Sequence, residues 1–263
     1  MAPKVLLRNT LLILLFVWSA EQLLAQNQTE SIKLTAGIEL RGLLPISFFT
    51  MDSVNLLEVD NNFNAVYSYT GGIGFGGVIR VKFTELWNLE TGIYYTRRNF
   101  KYEVRDPSVS FNESTTMSTV GYEIPIKGLV YIQMGRRVFM DVALGVSADF
   151  FASDTEVQQL SYNIQSFKNA WVKLGVLGSI GAEYRTEKDG YFYLGATFHQ
   201  PFGDTFTTQV NYYRENQGKA YFQNGAIDGA YFSVDFKYLF PPKAPKKDNV
   251  KRVIPDWKNM NRR

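Results

Sequence analysis

His199 is the only histidine of the chain, and there is no cysteine. A thiol nucleophile, a thiolate metal site and a disulfide framework are therefore excluded, and any imidazole base must be His199. It stands in "TFHQPFGD", with Asp204 five positions on. A nucleophile–base–carboxylate set needs mutual hydrogen-bond reach, and the sequence identifies no serine as the partner of His199. The carboxylates are scattered, with no His-rich tract or closely spaced acidic set of the kind that holds zinc or calcium. The stretch "GGIGFGG" (71–77) has the glycines of a phosphate loop but neither the Lys-Ser/Thr nor the following helix. Within a strand, glycines relieve crowding instead. This reading assigns no catalytic, cofactor-binding or metal-binding residue, and it expects neither an enzyme nor a cofactor.

The remaining chemistry is charge, and its placement follows from alternation. In Ile32–Arg41 every even position is apolar and every odd one is polar, charged or Gly, the period of a strand with two unlike faces. The same pattern recurs near 69–83, 89–98, 120–132, 137–149, 172–185, 191–199 and 231–240. That makes eight strands, each reaching the roughly 9–11 residues needed to cross a bilayer at a tilt. Their connections alternate between long (43–65, 105–118, 151–169, 201–227) and short ("TELWN", "QMGRR", "TEKDG"). Such alternation of short turns with long loops belongs to outer-membrane barrels. The predicted fold is all-β: an eight-stranded antiparallel up-and-down transmembrane β-barrel. It has long extracellular loops, short periplasmic turns and a basic C-terminal periplasmic tail.

In such a barrel the apolar face meets lipid and the charged face fills a narrow lumen. The charges there must pair, because an isolated buried charge is costly. Glu90, Arg98, Glu123 and Lys127 lie on two adjacent predicted strands and are the expected lumen ion network. Tyr69, Trp87, Tyr95, Trp171, Tyr184 and Phe240 suit interfacial girdles. Tyr212 and Tyr213 lie in the last long connection, where they could stack on a ligand or simply pack.

Both ends of the chain differ from the barrel, read as 26–240. Residues 1–25 read as a signal peptide: Lys4 and Arg8, a short apolar run, and "LLAQ" at the cleavage point. After Phe240 comes "PPKAPKK", which cannot continue a strand because Pro lacks the ladder donor. The tail, 241–263, carries eight Lys/Arg against Asp248 and Asp256, while 26–240 is net negative. The basic excess therefore sits in the tail of an exported chain, which argues against nucleic acid as a partner. Lys246, Lys247, Lys251, Arg252, Val253, Ile254 and Trp257 form the candidate partner-binding set. They include too few apolar residues for a core but enough for a docking motif with an aromatic anchor.

"YEIPIKGLVYI" (122–132), with "LETGIYYTRR" (89–98) and "LGVLGSIGAEYR" (174–185) beside it, resembles strands of the PorT-like outer-membrane β-barrels of Bacteroidota. The resemblance covers roughly 32–240. It implies an eight-stranded fold in the cell outer membrane, with both termini periplasmic by the count of strands, and it carries no catalytic residues. The expected role is that of a non-enzymatic anchor or subunit of a cell-envelope complex for secretion, gliding or outer-membrane assembly. The tail would dock another outer-membrane or periplasmic protein, and the barrel would contact the lipid bilayer. The rival reading is a ligand- or surface-binding barrel acting through its extracellular loops. A small pore or a lipid-modifying enzyme are further alternatives.

Overall fold

The structure is a computed structural model that describes residues 33–45, 54–55, 63–84, 86–186, 188–214 and 219–241. Residues 1–25, read as a signal peptide, and the tail beyond Pro241 lie outside the described residues. So do the tail residues proposed to bind a partner.

The strands in chain order are β1 (Lys33–Pro45), β2 (Val54–Asn55), β3 (Asn64–Lys82), β4 (Trp87–Asp106), β5 (Phe111–Gln133), β6 (Val138–Phe151) and β7 (Thr155–Gln158). They continue with β8 (Tyr162–Lys168), β9 (Val172–Arg185), β10 (Tyr191–Pro201), β11 (Phe206–Arg214), β12 (Lys219–Ile227) and β13 (Tyr231–Leu239). Eight of them close a ring: β1 pairs with β3, and the order then runs β4, β5, β6, β9, β10, β13 and back to β1, antiparallel at every pairing described. Closure leaves no barrel edge whose backbone groups would face lipid unpaired.

The side chains alternate across this wall as the sequence predicts. Leu34, Ile38, Ile73, Ile93, Leu144, Leu174 and Leu194 point outward and are exposed, Leu144 the most at 73%. In water this belt would be an aggregation surface; lipid satisfies it. Trp87, Trp171, Tyr184 and Phe240 are exposed near strand ends, as interfacial anchors require. At one end of the barrel the turns are short and locally specified. Thr84 Oγ1 accepts from the Leu86 and Trp87 amides at 3.2 and 2.9 Å, and Thr186 Oγ1 accepts from the Asp189 amide at 2.9 Å. Gly190, at φ +87°, closes the second of these turns.

The opposite end differs from the loops expected there. The connection expected over 105–118 shrinks to a 3-10 turn, Pro107–Val109, because β4 and β5 continue outward as a long hairpin. Residues 151–169 and 201–227 contain β7, β8, β11 and β12, which form a second four-stranded sheet in the order β12-β11-β8-β7. This sheet and the extended β3–β4–β5 face each other across an apolar cluster that includes Phe63, Phe100, Tyr102, Ile164, Phe206 and Val210. Stacking of Phe63 on Tyr212 at 5.1 Å and an edge-to-face contact of Phe151 with Phe206 at 4.8 Å join the sheets. A hydrogen bond between Tyr102 Oη and Thr208 Oγ1 at 3.2 Å joins them as well. The long connections thus build a folded platform.

Candidate functional site

The lumen is filled by the charged face of the strands. At its centre stands Glu90, fully buried. In the β3–β4 and β4–β5 registers it lies directly opposite Arg80 and Lys127. Arg80 Nη2 donates to its carboxylate at 2.6 Å, and Lys127 Nζ lies 2.7 Å from Oε1. From across the lumen, Lys237 Nζ of β13 donates to the same Oε1 at 2.6 Å. Arg80 also bridges to Glu183, which accepts from Arg185 Nε at 2.6 Å. Glu39 joins the network through Arg41 Nε at 2.8 Å and Tyr94 Oη at 2.6 Å. Tyrosines surround the cations: Arg41 lies 3.7 Å from the Tyr94 ring centroid and Lys237 4.5 Å from that of Tyr193, a geometry that adds cation–π attraction in a dry site. Gly76 makes room for Tyr94, since a Cβ there would lie 2.5 Å from its ring.

Of the four residues expected to form the lumen network, the structure brings Glu90 and Lys127 together. Glu123 turns instead to Arg41, whose Nη1 donates to Oε1 at 2.7 Å, and to Tyr231. Arg98 Nη1 donates to the Gly229 carbonyl at 3.0 Å. Alternation places all of these residues in the lumen, but it cannot reveal a bond such as Lys237–Glu90, which joins strands that are not neighbours in the ring.

Toward the platform lies a second group. His199 of β10 is fully buried, and its ring stacks on Tyr231 at 4.8 Å between centroids. Its Nε2 is 2.8 Å from Ser147 Oγ and 3.1 Å from Asp149 Oδ2, both residues of β6. Asp204, the carboxylate nearest in sequence, uses its backbone carbonyl to accept from Asn169 Nδ2. A serine hydrolase relay puts the serine and the carboxylate on opposite ring nitrogens. Here both meet Nε2, and Nδ1 has no hydrogen-bond partner. The three residues come from separate sequence regions, so spacing could not reveal the group. The inward phase of Ser147, Asp149 and His199 was the one available signal.

Of the aromatic pair in the last long connection, Tyr212 is a core residue of the platform and Tyr213 is exposed. Gly71–Gly77 lie within β3, as expected for strand glycines.

A family model described as outer membrane protein beta-barrel domain matches residues 24–207. No curated protein matches the chain. Among solved structures, the chain is similar to the outer membrane protein OprG from Pseudomonas aeruginosa, with a TM-score of 0.51 and 12% identity, covering 80% of this chain and 97% of that one. A looser likeness, TM-score 0.32 at 9% identity, links it to the outer membrane protease OmpT from Escherichia coli, covering 81% of this chain and 100% of the other.

Proposed function

Because the chain belongs to the outer membrane protein beta-barrel domain family, we propose that it serves as a non-enzymatic anchor subunit of a cell-envelope complex, meeting partners outside the membrane rather than passing solutes through it. The observation that carries this reading is the division of labour along the barrel axis. The lumen is occupied by a hydrogen-bonded ion network, whereas the end opposite the short turns is built into a packed two-sheet platform. Folding 151–169 and 201–227 around an apolar core orders a surface in advance, which lowers the entropy lost when a partner binds. In this reading the platform faces the cell exterior, and the termini lie in the periplasm. The basic tail with Trp257 then reaches a periplasmic or membrane-embedded protein of secretion, gliding or assembly machinery. The likeness of "YEIPIKGLVYI" to PorT-like strands supports that setting.

A second reading assigns recognition to the platform alone. Tyr213 of β11 and Phe222 of β12 share a face and are exposed at 53% and 45% on adjacent strands, while Tyr212, on the opposite face, is buried. Exposed aromatics on a rigid water-facing sheet suit the contact centre of an external ligand.

Affinity capture from outer membranes tests both readings, with full-length protein beside a 242–263 deletion and a Tyr213→Ala/Phe222→Ala variant. Heat-modifiable migration checks that each has inserted. Partners lost with the tail support the complex subunit. Partners or ligands lost only with the double variant support the platform reading. Stepwise conductance of the purified protein in planar bilayers would overturn the anchor.

A further inference from the structure

We infer that the lumen next to the platform holds a divalent transition-metal ion, bound by Glu123, Asp149 and His199. One donor atom from each of the three lies within 4.8 Å of the others. A single ion about 2.0–2.2 Å from each would need only side-chain closure. All three residues are at most 2% exposed.

Protein atoms leave this group unsatisfied. Asp149 has only His199 Nε2, 3.1 Å from Oδ2 and already hydrogen-bonded with Ser147 Oγ, its Oδ1 accepts nothing, and His199 Nδ1 has no partner. A buried carboxylate oxygen without a donor is strongly disfavoured. Glu123 and Asp149 are also directly opposite in the β5–β6 register, where like charges repel. Lys173, opposite Asp149 in the β6–β9 register, is half-buried and makes no ion pair with it, and the other nearby cations are engaged elsewhere. Arg41 serves Glu39 and Glu123, and Arg98 donates to the Gly229 carbonyl with its guanidinium 4.9 Å from the Tyr231 ring. A bound cation resolves the repulsion between Glu123 and Asp149.

The surroundings resemble a supported metal site. Arg41 and Tyr231 hold the Glu123 carboxylate from behind, as outer partners orient a ligand. Ser147 Oγ, 2.8 Å from His199 Nε2, stands where a fourth ligand or a bound water could be held. Gly175 keeps the space open, since a Cβ there would lie 3.1 Å from both His199 Nε2 and Ser147 Oγ. One imidazole with two carboxylates selects a zinc-like ion over calcium or magnesium, which favour all-oxygen sets.

The test uses the full chain refolded with Zn²⁺ or Co²⁺ and dialysed against metal-free buffer, because ligands this buried must load as the barrel closes. Expected is about one zinc per chain by mass spectrometry, falling to background in Asp149→Asn and His199→Gln chains that still show heat-modifiable migration. Equal retention by wild type and both variants overturns the site. If the variants fail to fold, X-ray absorption of the wild-type Co²⁺ or Zn²⁺ form decides. His199 is the only histidine and cysteine is absent, so an imidazole shell around the metal supports the assignment. An oxygen-only shell, or no retained metal, overturns it.

Discussion

The molecule has two interiors with opposite chemistry, built partly by the same strands. In the lumen, β4 turns Glu90, Tyr94, Thr96 and Arg98 inward and Leu89, Ile93 and Tyr95 outward. A few residues on, with no change of register, it turns Phe100, Tyr102 and Val104 inward and Lys101, Glu103 and Arg105 outward. Outside, Lys101 and Arg105 pair with Glu103 as surface charges do. The backbone does not distinguish these two stretches; the surrounding medium does. Where lipid surrounds the wall, apolar side chains face out and polar groups satisfy one another within. Where water surrounds it, the ordinary hydrophobic effect applies and the core is apolar. The reversal between Arg98 and Phe100 therefore marks the membrane boundary.

Substitutions in each interior should fail differently. The largest effect is expected from Glu90→Gln, which keeps the shape but removes the shared counter-ion of Arg80, Lys127 and Lys237. Breaking one buried pair costs about 3–5 kcal/mol. Urea unfolding in micelles should show at least that loss, for the barrel as a whole. A loss below about 1 kcal/mol would mean that the lumen network does not hold the barrel. Met117→Ala, in the apolar cluster, should cost about 2–5 kcal/mol but act locally. The platform should become protease-sensitive while the barrel keeps its heat-modifiable migration. Global unfolding instead would show that the two interiors are one cooperative unit. Leu144→Lys, on the lipid face, should cost about 2–4 kcal/mol near the bilayer midplane. Its mirror, Lys101→Leu, should change stability by no more than about 0.5 kcal/mol. Similar costs for both would refute the boundary placed between them.

That boundary also explains what the sequence made legible. The eight barrel strands and the inward placement of Glu90, Lys127, Glu123 and Arg98 follow from a period of two with apolar residues facing lipid. The platform does not, for a physical reason. Reading "NFKYEVRD" (99–106) with the lipid-facing phase makes Phe100, Tyr102 and Val104 fall on the wrong face, so the strand seems to end at Arg98. Alternation itself continues to Asp106; only the meaning of the apolar face changes. The pairings within the lumen were hidden for a different reason. Lys237–Glu90 and Arg41–Glu123 reach across a closed ring, and no local spacing encodes the opposite wall. His199, Ser147 and Asp149 were hidden in the same way.

One irregularity in β3 has a further consequence. Ser68 pairs with Lys101 and Tyr69 with Phe100, but Gly71, not Thr70, pairs with Asn99. Thr70 is the extra residue of a bulge, its hydroxyl donating to the Asn99 carbonyl at 3.0 Å, and Gly71 takes φ +108° beside it. The bulge lies level with the reversal seen on β4. Below it β3 turns odd-numbered Ile73, Phe75 and Ile79 outward, and above it odd-numbered Ala65 and Tyr67 inward, with Phe63 likewise inward just before the strand. The extra residue thus swaps faces where the medium swaps, and the apolar residues other than Val66 and Val78 keep to odd numbers. Parity then governs how this hairpin can change in length over evolution. Residues can enter or leave β3 above the barrel in twos, whereas a single loss is absorbed only at the bulge itself, where removing Thr70 would leave Gly71 opposite Asn99 and Tyr69 opposite Phe100 in an unbroken ladder with every face kept.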